Sequence, residues 1–166
     1  MWRFSKRRLT LKKLIIMQTG FLHLHKLLPY LLLLLPLLAI VVSWLKEKNE
    51  TVSGKPSKLV LFTLITWHIQ LLVGIVLVVL KWTELSALGK NIMKDDDGLW
   101  RKMLIEHPAM MILAVVFITI GYSKAKRATN GRDRAKKIAV FYGLGLLISI
   151  VAMTYMGYWS KMAFMH

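Results

Sequence analysis

Histidine is the residue type best placed to do chemistry in this chain. It occurs at three sites within apolar sequence: His23 and His25 at the mouth of the first apolar segment, His68 in the middle of the second, and His107 at the mouth of the third. An imidazole in hydrocarbon has no water to bond and needs a ligand, a hydrogen-bond partner or a cavity. On separate segments, such histidines can converge on a metal or clamp a haem iron from both sides. Bis-histidine ligation fills both axial positions and leaves one-electron transfer as the chemistry. Glu106 precedes His107 and suits an imidazole N–H or a quinol proton as partner. Met110 and Met111 follow His107 by three and four residues, on its helical face, so either could be an axial ligand; packing is their simpler role. Gly74 could admit a neighbouring helix or a flat cofactor.

Other chemistries are thinly represented. The chain has no cysteine, which excludes disulfides, thiolate metal sites, iron–sulfur clusters and c-type haem attachment. It has no phosphate-binding loop, dinucleotide fingerprint, hydrolytic constellation or nucleic-acid motif. Asp95-Asp96-Asp97-Gly98 reads as a solvated turn, because the remaining ligands of a calcium loop are absent.

The elements that must position the histidines follow from composition. Of 166 residues, 56% are hydrophobic, more than a soluble domain of this size carries. They fall in four blocks of roughly 20 residues, each long enough to cross about 30 Å of hydrocarbon as a helix. In lipid the backbone must bond internally, so the blocks are helices. The expected fold is all-α, an integral membrane up-down four-helix bundle with helices over about 19–44, 57–82, 103–123 and 136–158. These lie within a domain spanning 17–160, with a basic extension at 1–16 and a short tail at 161–166. Pro29 and Pro36 should bend the first helix, and Leu85 to Met93 suits a short interfacial helix. His23 and His25 stand about 200° apart around that first helix, so both cannot face the bundle. Gly143, Gly145, Ser149 and Ala152 give the fourth helix a small-residue packing surface.

In such a bundle the first and third helices run parallel and lie on a diagonal, which puts His25 and His107 at similar depth. His68 falls roughly 10 Å deeper at 1.5 Å per residue, beyond the reach of a single ion shared by all three. It would take a second haem, join a proton or quinone site, or pair with His25 or His107 where kinks and tilt shift its depth by several ångströms. The net charge of +16 resides in loops and tails. Lys46, Lys48, Lys55 and Lys58 in the first loop, with Lys124, Lys126, Arg127, Arg132, Arg134, Lys136 and Lys137 in the third, outweigh the mixed charges of the second. The positive-inside rule then places loops one and three in the cytoplasm and both termini outside. The basic residues of 1–16 oppose that orientation and favour Met17 as the functional start, with an interfacial basic helix as the other reading.

Four runs carry a family resemblance: Gly20-Phe21-Leu22-His23-Leu24-His25, Trp67-His68-Ile69-Gln70-Leu71-Leu72-Val73-Gly74, Glu106-His107-Pro108-Ala109-Met110-Met111, and Ile118 to Arg127. Over about Met17 to Tyr158 the chain resembles small bacterial four-helix membrane proteins labelled cytochrome B or cytochrome-b-like, whose members begin with a Met-x-Thr-Gly run like that at Met17. The resemblance implies haem b, one or two, with histidine ligands among the positions matching His25, His68 and His107, without specifying the pair. It also implies the bacterial inner membrane, with quinone or respiratory-chain subunits as partners and room for a homodimer. Lys26, in place of a small polar residue, and Leu28-Pro29-Tyr30 depart from the pattern. The competing expectation is a non-catalytic accessory subunit or assembly factor, its histidines bonding between helices.

Overall fold

The structure is a computed structural model that describes residues 2–47, 49, 54–87 and 98–157, with side chains from Gln18 onward. The basic extension is the start of the first helix, α1, which runs unbroken over Trp2–Val42 and continues as a π-helical turn at Ser43–Glu47. α2 covers Lys58–Ala87. α3 covers Leu99–Lys126, with a π-helical turn at Lys102–Glu106. α4 covers Gly131–Tyr155. Each of the four contains a span long and apolar enough to cross a membrane.

Several boundaries differ from the sequence expectation for local reasons. α4 starts at Gly131 because the Asn130 side chain caps it, accepting from the Asp133 backbone N–H at 2.8 Å. Lys137 and Asp133, one turn apart, pair at 2.6 Å and support that first turn. Leu85 and Ser86 belong to the end of α2, whereas 88–93 and Asp95 to Asp97 lie outside the described residues. α1 passes through Pro29 and Pro36 without losing helical form.

The helices pack as an up-down bundle. α1 contacts α2 and α4, α3 contacts the same two, and the α1–α3 and α2–α4 pairs lie on the diagonals. The most extensive packing is between α3 and α4. There a Cβ on Gly121 would lie 2.6 Å from the Cβ of Phe141, so only glycine allows the two backbones so close. Gly145, Ser149 and Ala152 are buried as expected, while Gly143 faces open space. Ala39, Val60, Trp67, Ala114, Ile118, Ile138 and Tyr142 form the core. Leu27, Leu31, Leu34, Leu72, Val79, Leu113 and Leu147 instead point outward. An outer surface of this kind matches lipid tails as solvent, so the chain is a multi-pass membrane protein.

The bundle has two ends. One gathers the end of α1, the start of α2, the end of α3 and the start of α4. There Arg134 Nε donates to Glu47 Oε2 at 2.8 Å, and Arg134 Nη1 to the Gly54 carbonyl at 2.9 Å. Glu47 Oε1 accepts from the Ser57 backbone N–H at 3.2 Å. Both side chains are buried. The other end carries the histidines.

Candidate functional site at the histidine end

The site begins with two prolines and a glycine. Proline has no N–H and crowds the carbonyl four residues earlier. Pro108, on α3, stands just after the π-helical turn Lys102–Glu106, where a widened turn relieves that crowding. A π turn adds a residue to the helical register, so His107 is aimed differently from what a regular α-helix would dictate. On α1, Pro29 leaves the His25 carbonyl without its helical donor. Gln70 of α2 takes it, Nε2 donating at 3.1 Å.

The two imidazoles meet across the α1–α3 diagonal. Their ring centres are 6.3 Å apart and their planes stand at 83°. Nδ1 of His25 and Nδ1 of His107 are buried and have no hydrogen-bond partner among the described residues. The same is true of Gln70 Oε1. Gly74, one turn beyond Gln70, lies against the His25 ring: a Cβ there would come 3.2 Å from Cε1. Two imidazoles, an amide and a glycine therefore share one level of the bundle.

Other candidates are placed differently. His23 is exposed on the outer side of α1. His68 is half-buried, its Nδ1 2.8 Å from the Leu64 carbonyl and its Nε2 3.5 Å from Thr119 Oγ1 on α3. It precedes Gly74 by six residues, about 9 Å along α2. Glu106 is engaged away from imidazole: Arg101 Nε lies 2.8 Å from Oε1, and Tyr155 Oη donates to Oε2 at 2.5 Å. Lys102 stands over the Tyr155 ring at 5.4 Å. Met111 packs on the core, and Met110 is half-buried. Among the described residues no three His, Asp or Glu side chains cluster as metal ligands.

Sequence reading missed Gln70 as a partner of His25, Tyr155 as a partner of Glu106, and the Glu47–Arg134 pair. The first had a readable signal, since a proline four residues after a histidine frees a carbonyl that a buried amide can satisfy. No family model, curated protein or solved structure matches this chain.

Proposed function

We propose that the chain is a b-type cytochrome-like protein of the bacterial cytoplasmic membrane, with haem held between His25 and His107. The observation that carries this reading is the ring pair itself, two half-buried imidazoles on diagonal helices, each with a buried, unpartnered Nδ1. An imidazole–metal bond is about 2 Å and a ring nitrogen lies about 1 Å from its ring centre, so two imidazoles on opposite sides of one ion hold their centres about 6 Å apart. The pair stands at 6.3 Å. Gly74 lets the His25 ring pack directly against α2, where any side chain would crowd it.

When bound, haem iron supplies reversible one-electron transfer. His25 and His107 would hold the iron, and with both imidazoles bound it would carry electrons and leave no site for oxygen. The apolar helices around them keep water from the ring pair, and Gln70 restrains His25. Glu106 and Tyr155, joined by a hydrogen bond at the same end, form a carboxylate–phenol pair able to exchange a proton. A quinol or a respiratory-chain subunit would approach there. Lys46, Lys55, Lys58, Lys124, Lys126, Arg127, Arg132 and Lys136 are exposed at the opposite end. By the positive-inside rule that end is cytoplasmic and the histidine end is outside.

A second reading, a non-catalytic accessory subunit or assembly factor, draws support from His68. Its nitrogens engage Leu64 and Thr119, so at least one imidazole in this bundle serves helix packing. A reduced-minus-oxidised absorption spectrum of the detergent-purified protein, with pyridine haemochrome quantification, separates the two. One haem b per chain is expected; a colourless, folded protein from cells supplied with ample haem would favour the accessory subunit.

A further inference from the structure

Helix α1 keeps its form through Pro29, four residues after His25, although proline cannot donate to the His25 carbonyl. In hydrocarbon that carbonyl needs another donor. Gln70, only 5% exposed, provides one from α2 through Nε2 at 3.1 Å. Gly74 extends the same face of α2 against the His25 ring. Helix α2 therefore meets His25 twice, at its backbone and at its imidazole. Gln70 Oε1 and His25 Nδ1 are both buried and unpartnered, an acceptor and a nitrogen able to donate, on two residues already in contact.

We infer that Gln70 is the positioning residue of His25: its amide holds the carbonyl that Pro29 frees, fixing where the imidazole stands relative to His107. The anchoring is a property of the chain alone. Its consequence for haem rests on the cytochrome reading. When one imidazole nitrogen ligates a metal, the other carries hydrogen and needs an acceptor, and partners of this kind orient the ring and raise its basicity. Gln70 Oε1, unpartnered in the structure, would be that acceptor for His25.

The test uses the full chain in detergent with Gln70→Leu, Pro29→Ala and the double variant. Gln70→Leu should weaken haem retention by about tenfold or more. It should also raise the midpoint potential, because a less basic imidazole stabilises ferric iron less. In haem-free protein, Gln70→Leu should lower the unfolding temperature. That loss should shrink in the Pro29→Ala background, where residue 29 regains an N–H for the carbonyl. Unchanged haem retention and potential in Gln70→Leu, or equal losses of unfolding temperature with and without Pro29, would overturn the inference. If wild type binds no haem but the two substitutions remain coupled in unfolding, the anchor stands and the cytochrome reading falls.

Discussion

The two ends of the bundle present the same problem with opposite outcomes. At each, a π-helical turn adjoins an ionisable group turned into apolar surroundings: Ser43–Glu47 includes Glu47, and Lys102–Glu106 leads into His107. At the first end the group is fully answered. Glu47 takes Arg134 and the Ser57 N–H, and Arg134 takes the Gly54 carbonyl. At the second end, the His25 and His107 rings stand edge to face, and Nδ1 of each has no partner among the described residues. A buried charge is tolerated only when paired and hydrogen-bonded. A neutral imidazole lacking a partner is destabilising by less, which lets a site stay open for a ligand. The completed cluster is a structural clasp between the α1–α2 loop and α4, and the incomplete one is where we propose that haem binds.

That contrast can be broken by mutation. Arg134→Leu should give the largest loss of stability, about 3–5 kcal/mol, because it strands the Glu47 carboxylate. Thermal unfolding in detergent measures it, and Glu47→Leu/Arg134→Leu should recover most of the loss. If the single variant unfolds like wild type, the clasp is not structural. Gly121→Ala should follow at about 1–3 kcal/mol by overpacking the α3–α4 contact, with haem content per folded protein unchanged.

Smaller effects are expected at the histidine end. Gly74→Ala should shift stability by less than about 1 kcal/mol while reducing haem retention, since the added methyl displaces the His25 ring. Retention equal to wild type would remove Gly74 from the site. His68→Leu should lose about 1 kcal/mol, the worth of an ordinary hydrogen bond, with the haem spectrum intact.

Much of this arrangement was legible in the sequence. Four apolar blocks require four helices in lipid, and their alternating direction puts α1 and α3 on a diagonal. That already predicts His25 and His107 at one level and His68 deeper. The 200° separation of His23 and His25 likewise anticipated that one would face outward. Helical-wheel reasoning cannot see the π turns, because each changes the register by one residue. Arg134 read as a topology-setting loop charge; its partner Glu47 is 87 residues earlier and nothing local announces the pair. Glu106, adjacent in sequence to His107, suggested an imidazole partner, but its carboxylate turns to Arg101 and Tyr155. Adjacent residues on a helix point about 100° apart, so chain proximity overstated their chance of bonding each other. The cap at Asn130 was readable from Asn130 and Asp133, and marks α4 as starting before its apolar block.

The central claim is that His25 and His107, and not His68, hold the haem. The most direct measurement is the haem content and reduced-minus-oxidised spectrum of His25→Ala, His107→Ala and His68→Ala, each checked for folding by circular dichroism. The account predicts that His25→Ala and His107→Ala are folded and lose the b-type spectrum, while His68→Ala keeps it. Loss of the spectrum in His68→Ala, with retention in either of the other two, would contradict it.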